Sequence, residues 1–373
     1  MRSVGIGLIG SGFMGRAHAL AFRMVGGVFA LPVTPELELL ADINEQVAAE
    51  AASALGFKRS TGDWQTLVSD PQVDIVAIAT PNALHKPMAL SAIAQGKAVY
   101  CEKPLAATLA EAGEMLQAAE AAGVTTLVGF NYLQNPMIAL AREIVHSGEI
   151  GEVISFRGIH AEDYMADAAK PYDWRCEPGG GVLEDLGSHI LSLARYLGGD
   201  ISSVCGRLRT VHKWRPVGLG ASELREVTVD DQADCLLDFA NGASGSFSTS
   251  WVACGRKMQL AFELVGSKGA LDYTQERFNE LKLYAANQPK GREGFKLITA
   301  GPDHPNYGPF CPAPGHQIGF NDLKVIEVKA LLEAVAGLGE PYPDFREAWE
   351  IQRVVEAVRR SSTAGQWIRI EDV

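Results

Sequence analysis

The stretch GGGVLEDLGSH, residues 179–189, sets an acid and a histidine four apart directly after three glycines. A glycine run offers backbone freedom and little bulk, so chain or ligand can approach closely. If the segment after it is helical, Asp185 and His189 lie at i and i+4 on one face and can act together. An imidazole titrates near neutral pH and can take a proton from a reacting hydroxyl. The pair is therefore either the polar start of an ordinary helix or half of an active site. A second candidate stands at CEKP (101–104), where Lys103 precedes a proline that restricts its backbone.

A third group can bind rather than react. GLIGSGFMG (7–15) holds Gly10-x-Gly12-x-x-Gly15 between a predicted strand and a predicted helix. Gly10 permits the tight turn, Gly12 lets the backbone approach a pyrophosphate, and Gly15 allows close helix–strand packing. Phe13 and Met14 lie between the last two glycines, at the helix start that would face the phosphates. Asp42 closes the next predicted strand, where a carboxylate can accept from both adenosine ribose hydroxyls and repel a 2′-phosphate. NAD is thus expected over NADP. The spacing from glycines to Asp42 is long, and GGVFALPVTPE (26–36) reads as an insertion between helix and strand. Thr80, Pro81, Asn82 and His85 in TPNALH (80–85), and Glu102 and Lys103 in CEKP, follow the third and fourth strands. Ligands collect at such carboxyl ends in open α/β sheets.

These groups need a scaffold. Strands are predicted at 4–10, 37–43, 73–80, 98–104 and 125–132, alternating with helices at 14–25, 45–56, 85–96 and 109–123. That alternation implies a parallel, doubly wound sheet. After a helix at 136–148 come longer strand-like runs at 152–162, 203–213, 226–240, 243–253 and 258–267, then helices near 322–336 and 345–362. Short turns between consecutive strands, with Asn241-Gly242 as one signal, imply an antiparallel sheet. The chain thus reads as an α/β protein: an N-terminal Rossmann dinucleotide-binding domain over 1–133, then a C-terminal α+β domain over 134–373 with a large, mostly antiparallel sheet.

Composition narrows the function classes. The 373 residues include 45 acidic and 33 basic side chains, a net charge of −12, which disfavours nucleic acid. Hydrophobic residues make up 47% and charged residues 21%, values typical of a globular chain, and no run is long and apolar enough for a membrane span. The glycine-rich start argues against a signal peptide. Six scattered cysteines form no CxxC pair, so reduced thiols, a cytoplasmic setting and no metal are expected.

The fingerprint, TPNALH, CEKP and GGGVLEDLGSH occur in order and at a spacing that resembles the glucose–fructose oxidoreductase / inositol dehydrogenase / rhizopine-catabolism (Gfo/Idh/MocA) family of NAD(P)-dependent oxidoreductases. The likeness extends to FREAWEIQRVVEAVRRSSTAGQWIRI (345–370). The resemblance implies a substrate cleft between the two domains. It makes Lys103, Asp185 and His189 the catalytic group, with a cis peptide bond before Pro104. It also implies homodimers or homotetramers built through the C-terminal sheet, with Phe247, Trp251 or Phe262 as candidate interface residues. Where many members carry a second carboxylate three residues after the histidine, this chain has Ser192.

The expected reaction is oxidation of a secondary hydroxyl of a sugar, cyclitol or anhydrosugar. His189 would be the base, Asp185 its neighbour and Lys103 the cation facing developing alkoxide charge. Further substrate-binding candidates are Asn131, His160, Asp163, Trp174, Arg175 and His316, with an Asp163–Arg175 pairing as the plain structural alternative for two of them. Two other readings stand beside the dehydrogenase: a redox-neutral glycosidase or lyase using tightly held NAD, and a non-catalytic NAD-binding sensor.

Overall fold

Parallel strands covered on both faces need apolar side chains at nearly every position, and the first third of the chain supplies them. A computed structural model describes residues 2–373. β1 (Arg2–Ile9) is buried from Val4 onward, and β4 (Ile75–Ile78) and β5 (Ala98–Cys101) are buried throughout. With β2 (Val33–Ala41), β3 (Arg59–Thr61) and β6 (Thr126–Val128) they form a six-stranded sheet in the order β3-β2-β1-β4-β5-β6. All its pairings are parallel. The connecting helices are α1 (Phe13–Val28), α2 (Glu45–Leu55), α3 (Trp64–Ser69), α4 (His85–Ala94) and α5 (Leu109–Ala122). Asn44, Asp63 and Thr108 cap α2, α3 and α5 by accepting from first-turn amides, a contribution of about 1 kcal/mol each.

Residues 26–36 are not an inserted loop. α1 runs on to Val28 and β2 begins at Val33, so the long spacing to Asp42 is helix and strand length. Pro35 hides the strand from a propensity reading. It is tolerated because β2 pairs there with β1 alone, and β3 joins only from Leu39. The pair β3 and α3, over residues 59–69, is too short to show a period and has no counterpart among the predicted elements.

The chain continues with α6 (Pro136–His146), β7 (Val153–Ala161), α7 (Ser188–Gly198), β8 (Ile201–Arg209) and a small hairpin, β9 (Trp214–Pro216) with β10 (Leu224–Glu226). Then come β11 (Gln232–Phe239), β12 (Ser244–Ser250), β13 (Gln259–Gly266), β14 (Gly269–Thr274), β15 (Glu280–Ala285) and β16 (Lys296–Thr299). They are followed by α8 (Phe320–Val335), α9 (Phe345–Ala364) and β17 (Ile368–Arg369). Nine of these strands form one sheet, ordered β16-β15-β14-β13-β7-β12-β11-β8-β17. Every pairing in it is antiparallel except β7 with β12. Alternation is clean in β11, where every second residue is buried. The expected turn joins β11 to β12, with Asn241 Oδ1 accepting from the Ala243 amide and Gly242 at φ +87°.

The inward face of this sheet takes the aromatic residues. Phe247, Trp251 and Phe262 are at most 3% exposed within the single chain. They are core residues, not interface residues: alternation along a strand separates two faces but does not say which one the chain itself covers.

The described chain divides into two units. One holds the chain through Gln134 together with Ile318–Glu350, and the other holds Asn135–Gln317 with Ile351–Val373. The segment 318–350, which the reading from sequence assigns to the second domain, thus belongs with the first. The reason is α8, which packs on α1 and inserts two charged side chains beneath β5.

Candidate active site

In the first unit, the nucleotide-binding turn follows β1. Gly10 has φ +93°, and a Cβ there would lie 2.7 Å from the Ala79 carbonyl oxygen. A Cβ on Gly15 would lie 2.0 Å from the Gly10 carbonyl oxygen, whereas one on Gly12 would meet nothing within 4 Å. Two glycines are thus demanded by packing, and the third faces open space. No side chain caps the start of α1, so its first amides remain for an anion. Phe13 projects 74% exposed and stacks on Phe320, with ring centroids 5.5 Å apart; Met14 is half-buried beside it. Asp42, at the end of β2, is oriented by three donors. Ser11 gives its amide and hydroxyl to Oδ2 at 2.8 and 2.6 Å, and the Ile43 amide gives to Oδ1 at 2.7 Å. Oδ1, with one donor, keeps acceptor capacity for a ribose hydroxyl. These residues fit a dinucleotide.

The loops after β4 and β5 are braced against each other by His85. Its ring is fully buried, with Nδ1 3.0 Å from the Pro104 carbonyl and Nε2 2.9 Å from the Thr80 carbonyl. His85 therefore ties Thr80 to Pro104. Asn82 is buried in the same turn, and Lys103–Pro104 is cis. Asn131, just past β6, is 3% exposed, and its Nδ2 has no hydrogen-bond partner among the described residues.

Beneath Lys103 lies a buried charge cluster that sequence reasoning did not assemble. Glu102 Oε1 accepts from His18 Nε2 and from Lys324 Nζ, each at 2.7 Å. Lys324 also donates to Glu327 at 2.9 Å and to the Tyr100 hydroxyl at 3.1 Å, and Tyr100 donates to Glu327. Burial works to raise the Glu102 carboxyl, but Lys324 and His18 outweigh it and hold the group well below the usual carboxylate range. Burial, with Lys324 nearby, lowers His18, so its ring is neutral and donates from Nε2. The available signal was Lys324 and Glu327 at i and i+3, two charges on the apolar stripe of LKVIEVKALL.

In the second unit, the glycine run ends in a wide turn instead of a regular α-helix. Gly181 has φ +102°, and residues Leu183–Gly187 form one π-helical turn before α7 begins at Ser188. Such turns recur at functional sites because they re-aim side chains. Asp185 sits in the π turn. Its Oδ2 accepts from the Tyr164 hydroxyl at 2.6 Å and from Arg175 Nε at 3.1 Å. Burial and the Asp185 carboxylate push the Tyr164 phenol well above its ordinary range, which makes it a donor to Asp185.

His189, in the first turn of α7, is 5% exposed and meets His160 edge to face, with centroids 5.7 Å apart. His160 is itself oriented: Nδ1 lies 2.9 Å from the Leu186 carbonyl and Nε2 3.2 Å from Glu162. The Ser192 hydroxyl donates to the His189 carbonyl at 2.8 Å, so it is bonded back within its own helix turn.

The other candidates separate. Arg175 lies over the Trp174 ring at 4.3 Å and pairs with Asp185, so the Asp163–Arg175 pairing is not formed. Asp163 instead holds Lys257 at 2.7 Å and the Gly255 amide. His316 is exposed on the loop before α8. Tyr164 and Asp230 are the residues around the π turn missing from the expected site. Among the described residues, no cluster of His, Cys, Asp and Glu could hold a metal ion, and no helix is long and apolar enough to cross a membrane.

The family profile described as "Oxidoreductase family, NAD-binding Rossmann fold" matches residues 4–130, and "GFO/IDH/MocA C-terminal domain" matches 138–272. Levoglucosan dehydrogenase of Pseudarthrobacter phenanthrenivorans is 35% identical over 100% of both chains. A solved structure of levoglucosan dehydrogenase with NADH and levoglucosan superposes at TM-score 0.96, with 36% identity over 99% of this chain and 100% of that one. An NAD-binding oxidoreductase from Klebsiella pneumoniae superposes at TM-score 0.94, with 43% identity over 99% of both.

Proposed function

The chain belongs to the GFO/IDH/MocA oxidoreductase family, with an NAD-binding Rossmann fold, and from that premise we propose that it oxidises a secondary hydroxyl of an anhydrosugar, sugar or cyclitol, levoglucosan being the first substrate to test. The supporting observation is that the likeness to levoglucosan dehydrogenase runs the whole length of both chains, nine-stranded sheet included.

When bound, NAD⁺ supplies the hydride acceptor. In this proposal His189 takes the hydroxyl proton, with His160 packed against its ring. Asp185, held by Tyr164 and Arg175, presents a fixed negative charge to a neighbouring hydroxyl. The Lys103 ammonium stabilises the alkoxide charge that develops as His189 takes the hydroxyl proton, charge that is discharged as the carbonyl forms. Trp174, backed by the Arg175 guanidinium, offers an aromatic face to C–H groups, and Asn131 an amide donor. His316 and Asp163 are weaker members of this set, the first for its exposure and the second for its commitment to Lys257. Assembly of identical subunits through the open face of the nine-stranded sheet belongs to the same proposal, and a monomeric mass in solution would remove it.

The test is NADH formation across a panel of anhydrosugars, inositols, aldoses and sugar acids, each with NAD⁺ and NADP⁺. Lys103→Ala is expected to lower kcat/KM by roughly 10²–10³-fold. A panel that stays silent while NAD⁺ still binds would overturn the dehydrogenase reading. Asp42→Ala removes the oriented ribose acceptor, so NAD⁺ affinity is expected to fall roughly 10–100-fold, with NADP⁺ losing less. Equal losses for both cofactors, read by fluorescence titration, would remove Asp42 from the ribose site.

A further inference from the structure

Asp230 is a carboxylate that the chemistry above does not use, yet it is 4% exposed and lies against the turn that bears Asp185 and His189. Its Oδ2 accepts from the Leu183 amide at 2.8 Å, and its main-chain carbonyl accepts from the Val182 amide at 2.9 Å. Its Oδ1 lies 2.7 Å from where a Cβ on Gly181 would sit, and Glu184 Oε2 lies 3.1 Å from the same point. The glycine is therefore required by two acids converging on it. The next residue, Asp231, fastens the other side: Oδ1 accepts from Trp251 Nε1 at 2.6 Å, and Oδ2 from the Val211 and His212 amides. Val182 and Leu186 of the turn pack with Val229 and Trp251 in one buried cluster.

We propose that Asp230 is a positioning residue, which grips the leading amide of the π turn and so sets where Asp185 and His189 stand. This rests on the reading of those two residues given above. A carboxylate serves here because one group must satisfy a buried amide at a wide turn that lacks regular helical bonding. The charged groups facing it are Asp231 on its own segment and Glu184 across Gly181, the latter paired through its other oxygen with Arg359 of α9. Burial pushes the Asp230 carboxyl up to about 6, with the Leu183 amide acting against the rise. The sign follows: the folded form binds the proton more tightly than the unfolded one. The contribution to stability is full below the ordinary aspartate range and is lost as pH rises through about 6.

The experiment compares the wild type with Asp230→Asn, which keeps an acceptor for Leu183, and Asp230→Ala, which does not. Two readouts need no substrate. The wild-type Leu183 amide resonance should titrate with a midpoint near 6, and Asp230→Asn should abolish that step. The His189 ring resonance, assigned with His189→Gln, should move in Asp230→Ala and stay in Asp230→Asn.

With levoglucosan and NAD⁺, Asp230→Ala should lose kcat roughly 10–100-fold at unchanged NAD⁺ affinity. Asp230→Asn should restore turnover while stability gains on the wild type as pH rises from 5 to 7. An alanine variant with wild-type kcat and an unmoved His189 resonance would overturn the proposal. So would parallel losses of NAD⁺ binding, melting temperature and kcat in both variants. If the wild type is silent on levoglucosan, the substrate choice fails, and the two resonances alone decide the role of Asp230.

Discussion

With His189 replaced by alanine, NAD⁺ affinity is expected to hold while turnover falls by roughly 10²–10⁴-fold, the usual worth of a positioned general base. The selectivity follows from where the groups lie. The glycine turn and Asp42 belong to the first unit, and His189 belongs to α7 of the second. The rival proton acceptors beside it are already committed. Asp185 accepts from Tyr164 and Arg175, and Tyr164 is held protonated by burial and by that same carboxylate. Measured kcat on levoglucosan alongside the dissociation constant for NAD⁺ separates the cases. A matched loss in both would mean that His189 holds the fold together and takes no proton.

Lys324→Met is expected to destabilise the first unit by about 3–5 kcal/mol, because it strips the cation from two buried carboxylates. Lys324 has no exposed surface and binds three acceptors, Glu102, Glu327 and the Tyr100 hydroxyl. Burial raises the Glu327 carboxyl even with the lysine present. Without it, Glu102 loses the partner that holds it low, and both acids shift upward. Groups so shifted give up stability as pH rises, so the deficit should be wider at pH 8 than at pH 5. Thermal unfolding should show a fall of roughly 6–20 °C. An equal fall at both pH values would assign the loss to packing and not to charge.

The parts of the fold that declared themselves in the sequence are the local ones. A fingerprint confined to Gly10–Gly15, and strands apolar at every position, need no distant partner to be recognised. Asp185 and His189 stood out as candidates for the same reason, four residues apart after a glycine run. His160 and Arg175 beside them were also named, but other neighbours were not. Tyr164 reaches Asp185 from 21 residues away, and Asp230 reaches Leu183 from 47. Nothing local marks either as a partner. β14, β15 and β16 are short, four to six residues each, so they raise no period of their own. The burial of Phe247, Trp251 and Phe262 depends on what the rest of the chain packs against them, a tertiary choice. The π turn is equally silent, since its residues are ordinary helix formers and only the grip of Asp230 and the space at Gly181 distinguish it.

The return of α8 to the first unit bears on the order in which the protein can be made. Glu102 and Lys324 are 222 residues apart. At a synthesis rate of about 5–20 residues per second, Glu102 leaves the ribosome roughly 11–44 s before its buried cation exists. In that interval the six-stranded sheet has its strands but an open flank, with a carboxylate and Tyr100 facing a space that only α8 fills. The nucleotide-binding unit is thus completed late, after almost all of its partner unit has been synthesised. Cofactor binding by the nascent chain should accordingly begin only once residues beyond Glu350 have emerged.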